Sequence, residues 1–319
     1  MKQRSLGKTG YLVSEIGHGL WGMGSWSGST DETSRAALRR SIEGGCTFFD
    51  SAFVYGNGRS DGLIGATARE YSDRNLVLAS KIPPADFKWP SSPARPLHAV
   101  FPRAHVLEYA GKIRDAFGRP IDLLQFHVWE DVWANEPEWQ DTIAELKAAG
   151  TIKAFGLSLN RWQPENGIAA IATGLVETVQ VIYNIFDQAP EDVLFPACRE
   201  HNVGVIARVP LDEGSLGGKL TLETSFPDGD WRAGYFNPSN LAETIRRVDA
   251  LKTILPDGMS LPELALRFIL SEATVSTLIV GMRAPDHVRQ NLAVSDSGPL
   301  PAPLLAELRG HRWDRRPGH

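Results

Sequence analysis

Four polar residues in the first half of the chain have the side chains that reduction of a carbonyl group requires. Asp50 ends the apolar segment CTFFD, and Tyr55 follows five residues later; Lys81 ends NLVLASK, and His127 ends IDLLQFH. Reducing a carbonyl places a hydride on carbon and a proton on oxygen. Because no side chain supplies a hydride, this chemistry requires a redox cofactor.

Each of the four residues has an expected part in that chemistry. A free tyrosine has a pKa of ~10, and we expect the ammonium group of Lys81 to lower the pKa of Tyr55 so that the phenol can donate its proton. Asp50 would keep Lys81 charged and in place, and His127 would orient the carbonyl oxygen. Taken singly, each residue also fits an ordinary structural role such as a turn, a packing contact or a buried polar group. Their occurrence together at consecutive strand ends favours catalysis.

The elements that must position these residues alternate along the chain. Short apolar runs, typical of strands buried on both faces, are followed by amphipathic segments. The predicted strands are Val13–Gly17, Thr47–Asp50, Leu76–Ala79, Ile121–Phe126, Ile152–Leu157, Thr178–Ile182, Val203–Val209 and Ser276–Val280. The predicted helices are Glu32–Glu43, Gly62–Glu70, Ala104–Phe117, Glu138–Ala149, Glu165–Ala172, Glu191–His201, Pro262–Ser271 and Pro285–Val294. This alternation predicts an α/β fold, a (β/α)₈ TIM barrel, with a doubly wound open sheet as the structural alternative.

Three segments lie outside the alternation. The residues before Val13 are expected to form an N-terminal β-hairpin that plugs the bottom of the barrel. Pro83–Arg103 and Asp212–Asn240 are long loops after the third and seventh strands, on the face where barrel enzymes keep their active sites. We expect both loops to border the active site of one domain spanning residues 1–319.

Longer stretches around these residues resemble the aldo-keto reductase family. GCTFFDSAFVYGNGRSDGLIG resembles the family segment that carries the catalytic Asp and Tyr; VLASK and IDLLQFHVW resemble the strands of its Lys and His. The likeness continues through RSLGKTGYLVSEIGHGLWGMG, GTIKAFGLSLN, VQVIYNIF, VPLDEGSLGGK and LIVGMRAPDHVRQNLAV. It implies an NAD(P)-dependent reductase of aldehydes or ketones in which Asp50, Tyr55, Lys81 and His127 form the catalytic tetrad.

The resemblance also implies which residues contact the nicotinamide cofactor. Arg283, with His287 and Arg289 nearby, falls where the family contacts the 2′-phosphate, so NADP(H) is expected and NAD(H) is the alternative. The implied cofactor-binding residues are Gly19, Leu20, Trp21, Asp50, Ser158, Asn160, Gln180, Arg208, Pro210, Leu211, Gly214, Leu216, Gly281, Arg283, His287, Gln290 and Asn291.

The sequence departs from the family pattern in three places. Leu159 separates Ser158 from Asn160, so Asn160 reaches the cofactor carboxamide only if the loop is shifted, or it does not reach it. Arg208 stands where an aromatic residue often stacks on the nicotinamide. Asp212-Glu213 places two acids in the loop expected beside the pyrophosphate, where they could point outward.

The expected substrate is a small carbonyl compound, apolar, ring-bearing or sugar-derived. The residues expected to contact it are Trp21, Tyr55, Trp89, His127 and Trp129. Trp129, together with Trp133 and Trp139, is interpreted as an apolar substrate wall or as packing, because no basic patch accompanies these rings.

Composition and motifs exclude several other classes. The net charge of −5 argues against nucleic-acid or membrane binding, and the two cysteines form neither a metal-site nor a disulfide pattern. We therefore expect no metal, a cytoplasmic location and a monomer. A Rossmann glycine fingerprint is absent after the first strand, and paired acids of the glycosidase kind would leave Lys81 and Tyr55 unexplained. A cofactor-sensing regulatory subunit with the same barrel remains the alternative function.

Overall fold

Eight parallel strands close into a barrel in the computed structural model, which describes residues 1–24 and 28–315. A two-stranded antiparallel hairpin precedes the barrel. The hairpin strands are β1 (Gln3–Ser5) and β2 (Leu12–Ser14). The barrel strands, in chain order, are β3 (Ile16–Gly19), β4 (Phe48–Asp50), β5 (Val77–Ile82), β6 (Ile121–Phe126), β7 (Ile152–Ser158), β8 (Thr178–Ile182), β9 (Gly204–Arg208) and β10 (Val275–Gly281). Strand β10 pairs with both β3 and β9, which closes the ring and confirms the predicted (β/α)₈ barrel.

Helices follow the barrel strands and cover their outer faces. They are α1 (Asp31–Glu43), α2 (Arg59–Glu70), α3 (Leu97–Val100), α4 (Arg103–Phe117), α5 (Pro137–Ala148), α6 (Ile168–Ala172), α7 (Leu194–Glu200), α8 (Arg232–Tyr235), α9 (Pro238–Thr253), α10 (Leu261–Leu270), α11 (Pro285–Ala293) and α12 (Ala302–Arg309). Strands β5 and β6 are buried along their whole length because the barrel interior covers one face and helices cover the other. None of these helices combines the length and the apolar composition needed to cross a membrane.

Helix α9 is the largest element that the sequence analysis did not assign. Its first turn is capped by Asn237, whose side-chain oxygen accepts a hydrogen bond from the backbone N–H of Asn240 at 3.1 Å. Leu241, Val248 and Leu251 are buried at helical spacing, which was the available signal. The segment Asp212–Asn240 therefore ends in helix, and the loop after β9 is shorter than predicted.

The prediction of one strand over Val13–Gly17 is wrong, because two strands meet there and break at Glu15. The carboxylate of Glu15 is buried and accepts hydrogen bonds from Arg4 Nε at 3.0 Å and from Ser295 Oγ at 2.8 Å. A buried carboxylate needs such partners. These long-range contacts anchor the point where the chain leaves the hairpin and enters the barrel.

The hairpin closes the amino end of the barrel, as predicted. Leu6 and Val13 are fully buried and belong to the cluster formed by inward-facing side chains such as Phe48 and Leu123. The N–H of Lys8 donates to the carbonyl oxygen of Asn202, just before β9 begins. The barrel bottom is therefore packed, which leaves the carboxyl ends of the strands as the open face.

Candidate active site

The centre of the open face is a buried ion pair between Asp50 and Lys81. Asp50 ends β4 and Lys81 lies near the end of the neighbouring strand β5, so the parallel register brings their side chains together. Lys81 Nζ donates to Asp50 Oδ2 at 2.5 Å and to the backbone carbonyl of Ser51 at 2.7 Å. Both side chains are almost completely inaccessible, so each charge depends on the other for compensation.

Two glutamine amides complete the surroundings of Asp50. Gln125 Nε2 donates to Asp50 Oδ1 at 3.1 Å, and Gln180 Nε2 donates to the same oxygen at 2.8 Å. Sequence reasoning missed Gln125, although a polar residue inside the otherwise apolar run LLQF of a buried strand is an unusual signal. The carboxylate is therefore fixed from three strands at once.

Tyr55 and His127 lie beside this pair. The Tyr55 and His127 rings are nearly perpendicular, with centroids 6.1 Å apart, and Lys81 Nζ lies 5.5 Å from the centre of the Tyr55 ring. His127 also packs edge-on against Trp89, at 5.6 Å between ring centroids. The structure thus brings together all four residues of the predicted tetrad, with Trp89 next to them.

The expected lowering of the Tyr55 pKa is wrong for this structure. Burial raises the pKa of Tyr55 well above its usual value, and the nearby Asp50 carboxylate raises it further, whereas Arg208 acts in the opposite direction. Because Lys81 is paired with Asp50, the ammonium charge is largely compensated. Tyr55 is consequently a neutral phenol that holds its proton at neutral pH.

His127 and Lys81 are affected by burial in their own ways. Burial lowers the pKa of His127 well below its usual value, and the charges of Lys81 and Arg208 lower it further, so the ring is neutral. Its Nδ1 is buried without a hydrogen-bond partner in the described part of the chain. Burial also lowers the pKa of Lys81, while Asp50 opposes this shift. A neutral imidazole can donate one hydrogen bond to a bound oxygen.

A second buried carboxyl group lies behind the tetrad on α2. Asp61 is fully buried and accepts a hydrogen bond from Ser80 Oγ at 2.8 Å. Burial raises the pKa of Asp61 to about 6, although hydrogen bonds from Ser51 and Ser80 and the charge of Lys81 lower it. Asp61 therefore has a pKa closer to neutral pH than an ordinary aspartate, and it lies near the charge of Lys81.

The residues expected to bind the cofactor are spread over neighbouring strand ends. Gly19 pairs with Gly281 across β3 and β10, and Ser158 pairs with Gln180 across β7 and β8. Leu20, Pro210 and Leu216 are buried, Leu211 and Asn291 are partly buried, and Trp21, Gly214, Arg283, His287 and Gln290 are exposed. The exposed group lies mainly around the start of α11, which follows β10. These positions line the rim on the side of β7 to β10 and β3.

Asn160 points away from the tetrad. Its amide nitrogen donates to the backbone carbonyl of Trp129 at 3.0 Å and to Glu130 Oε1 at 2.8 Å, and its oxygen accepts from the N–H of Ser91. In this position the side chain holds the loops after β5, β6 and β7 together. The structure therefore supports the alternative in which Asn160 does not reach the carboxamide.

The expectation that Trp129 contacts substrate does not fit its position. The Trp129 indole is fully buried, and its ring packs edge-on against Trp133 and Trp139 at 5.7 and 5.4 Å. Its Nε1 donates to Asp131 Oδ1 at 2.8 Å. Trp129 thus belongs to the core behind the rim, whereas Trp21 and Trp89 are each 44% exposed.

Asp212 and Glu213 both have partners inside the protein rather than pointing outward. Asp212 is fully buried, forms an ion pair with Arg315 and accepts a hydrogen bond from the Tyr235 hydroxyl at 2.5 Å. Glu213 forms an ion pair with Arg161 from the loop after β7. The C-terminal Arg315 is a partner that sequence reasoning missed, because nothing local links it to residue 212. These contacts attach the loop after β9 to its neighbours.

The described ranges, 1–24 and 28–315, contain no cluster of side chains arranged to hold a metal ion. Beside the tetrad, His127 Nδ1 and Arg208 Nε are among the buried polar atoms that lack a hydrogen-bond partner within the described residues. This donor set suits a polar organic cofactor and a carbonyl oxygen. The site is therefore compatible with the nicotinamide chemistry that the sequence indicates.

Comparison with known proteins agrees with the geometry. The family model described as "Aldo/keto reductase family" matches residues 15–312. The chain is 28% identical to the aldo-keto reductase YhdN of Bacillus subtilis, over 90% of this chain and 87% of the relative.

Two solved structures have the same fold. The holo form of aldo-keto reductase AKR11C1 from Bacillus halodurans superposes with a TM-score of 0.78 at 25% identity, covering 99% of this chain and 97% of that one. An aldo-keto reductase from Klebsiella pneumoniae in complex with NADPH gives 0.71 at 23% identity, covering 99% and 97%. The barrel, the four predicted residues grouped at its rim and the family match across most of the sequence lead to one conclusion: this chain belongs to the aldo/keto reductase family and is an NAD(P)-dependent oxidoreductase.

Proposed function

We propose that this protein reduces aldehyde or ketone groups of small molecules to alcohols with NADP(H), and that Tyr55 donates the proton. The observation that carries the proposal is the convergence of Tyr55, His127 and the buried Asp50–Lys81 pair on one barrel rim. The reverse oxidation of alcohols would use the same groups. When bound, the cofactor supplies the hydride.

The side chains of His127, Tyr55 and Lys81 have separate roles in the rest of the reaction. Neutral His127 donates a hydrogen bond to the carbonyl oxygen and orients it. Tyr55 would transfer its phenolic proton to that oxygen, and the phenolate left behind would lie near the Lys81 ammonium until solvent returns the proton. A high pKa keeps Tyr55 protonated before the hydride arrives, so the acid is in its active form over the whole neutral range.

The choice of NADP(H) over NAD(H) depends on Arg283. This exposed arginine lies between the end of β10 and the start of α11, and its side chain packs against Gly22, where an added Cβ would come within 2.7 Å of it. A 2′-phosphate at this position would gain charge-assisted hydrogen bonds from the guanidinium and a favourable field from the start of the helix. The NADPH-bound structure from Klebsiella pneumoniae supports this choice.

Exposed aromatic rings indicate an apolar or ring-bearing substrate. Trp21, Phe87 and Trp89 are 44%, 53% and 44% exposed. Trp89 contacts His127 directly, and Phe87 lies 6.3 Å from Trp89 between ring centroids. Such rings stack on flat apolar groups and on sugar faces. A panel of aldehydes, ketones and aldoses, followed by cofactor absorbance, would identify the class.

We also propose that one barrel domain acts as a monomer in the cytoplasm, without nucleic acid or membrane partners. The net charge of −5 and the two buried free thiols, Cys46 and Cys198, support this setting. The alternative is a cofactor-sensing regulatory subunit with little turnover. Measured carbonyl turnover by the purified protein would decide between the two.

The decisive test is single-turnover hydride transfer by Tyr55→Phe. We expect a loss of at least ~10²-fold in the rate, with cofactor affinity nearly unchanged, because the hydroxyl acts only as charge builds on the carbonyl oxygen. Tyr11→Phe is the matched control: this hydroxyl donates to Asp122 at the opposite end of the barrel, so its loss should leave the rate unchanged. Near-normal hydride transfer by Tyr55→Phe would contradict the assignment.

A further inference from the structure

Arg208 places a cation across the barrel mouth from the tetrad. It is the last residue of β9, and in the closed strand order β9 lies four strands from β5 in either direction. Arg208 therefore lies across the barrel from the buried Lys81, and its charge acts on Tyr55. A nicotinamide ring bound with a carbonyl group beside Tyr55 would lie close to the partly exposed Arg208.

Arg208 forms no ion pair within the described residues, although the charges of Glu213 and Asp50 act on it from a greater distance. Within residues 1–24 and 28–315 no carboxylate lies within 4.0 Å of its guanidinium. Its Nη2 donates to the carbonyl oxygen of Leu159 at 3.1 Å, and its Nε is buried without a partner. The contrast is Arg161 on the same rim, which is paired with Glu213.

The field of Arg208 reaches the reacting groups. Its charge lowers the pKa values of both Tyr55 and His127. Burial lowers the pKa of Arg208 itself to about 10, so the guanidinium remains protonated at neutral pH. The Arg208 side chain is only partly buried and has no ion-pair partner among the described residues, so a ligand bound beside it experiences its charge.

We propose that Arg208 makes the site bind the reduced nicotinamide cofactor more tightly than the oxidised one. This inference builds on the proposed function. The oxidised pyridinium ring carries one positive charge, whereas the reduced dihydropyridine ring is neutral, so a guanidinium beside the ring repels only the oxidised form. The repulsion speeds release of the oxidised cofactor after each round of carbonyl reduction, and it leaves the overall equilibrium of the reaction unchanged.

The size of the effect follows from Coulomb's law. Two unit charges about 6 Å apart, at an effective dielectric constant between that of a protein surface and that of water, change a binding constant by about 10-fold. A neutral side chain at position 208 removes this repulsion. Loss of stacking or of the hydrogen bond to Leu159 would weaken the binding of both cofactor forms by the same factor. The ratio of the two affinities therefore reports the effect of the charge alone.

The test is equilibrium titration of wild type, Arg208→Gln and Arg208→Lys with NADPH and with NADP⁺, followed by protein fluorescence. We expect the ratio Kd(NADP⁺)/Kd(NADPH) to fall about 10-fold in Arg208→Gln. Arg208→Lys keeps the charge and should keep the ratio within about threefold of wild type. Arg161→Gln, which removes a paired guanidinium from the same rim, is the matched control and should leave the ratio unchanged.

The outcomes separate this inference from the proposed function. An unchanged ratio in Arg208→Gln, with both cofactor forms still binding, overturns the inference alone. An equal fall in Arg161→Gln would also overturn it, because the effect would then not be specific to the unpaired charge. If wild type binds neither form, the proposed function fails and the inference fails with it. Circular dichroism of each variant shows that the comparison is between folded proteins.

Discussion

The Asp50–Lys81 pair should show strong energetic coupling in a double-mutant cycle of Asp50→Asn, Lys81→Met and the double variant. Both side chains are almost fully buried, and Lys81 Nζ lies 2.5 Å from Asp50 Oδ2. Asp50→Asn removes the negative charge that compensates the ammonium, which keeps its hydrogen bond to the carbonyl oxygen of Ser51 at 2.7 Å. Lys81→Met leaves the carboxylate with the two amides of Gln125 and Gln180.

Removing one member of a buried pair costs about 3–5 kcal/mol because it leaves an uncompensated charge. The double variant removes both charges and so avoids this penalty. We therefore expect each single variant to lose about 3–5 kcal/mol of unfolding free energy. The double variant should be at least ~2 kcal/mol more stable than the sum of the single losses implies.

The assay is urea unfolding followed by both tryptophan fluorescence and circular dichroism, since coincident transitions show that one free energy describes the change. The control is the same cycle on the exposed pair Arg39–Glu70, whose side chains are 44% and 40% accessible. There the coupling should stay below ~1 kcal/mol. The prediction is wrong if the losses of unfolding free energy in the two single variants add up to the loss in the double variant within ~0.5 kcal/mol, because the two buried groups would then not depend on each other.

Three further predictions follow from single residues. Arg283→Ala should weaken NADPH binding at least ~10-fold and leave NADH binding nearly unchanged in fluorescence titrations, and an unchanged preference would exclude Arg283 as the 2′-phosphate contact. Burial raises the pKa of Asp61 from 3.8 to about 6, so the folded state holds this proton more tightly, and wild-type stability falls as pH rises through that window. Asp61→Asn cannot titrate; its stability relative to wild type should therefore rise by about 2–3 kcal/mol from pH 4 to pH 7, and a pH-independent difference in thermal unfolding would contradict this. Gly7→Ala should cost about 2 kcal/mol or more in urea unfolding, because φ is +53° and the new Cβ would lie 2.2 Å from the backbone nitrogen of Gly204; Gly10→Ala, at φ +80° with open space around it, should cost less.

Much of the fold and of the site could be predicted from local sequence. Strands buried on both faces appear as apolar runs, and amphipathic helices show their period, so the alternation indicated a closed parallel barrel. Once the strands are parallel, their carboxyl ends meet on one rim. Asp50, Lys81 and His127 could therefore be placed together from their positions at strand ends, with Tyr55 in the adjoining loop.

The tertiary structure alone determined how these residues interact. The chain breaks between two strands at Glu15, whose carboxylate is held by Arg4 and Ser295 from other parts of the chain. Trp129 is in the core because other rings surround it. Neither set of contacts can be recognised from the residues that flank Glu15 or Trp129 in the sequence.

The same holds for charge at the active site. A strand-end position shows that Tyr55 and Lys81 are near each other, but the pKa of Tyr55 depends on burial and on Asp50, which pairs with Lys81 and compensates its charge. Arg208 is visible in the sequence as a basic residue after an apolar run, yet only the folded structure shows that it forms no ion pair with a carboxylate of residues 1–24 or 28–315. Local patterns determine which elements form and which residues reach the rim, whereas pairing and desolvation depend on contacts between segments far apart in the chain.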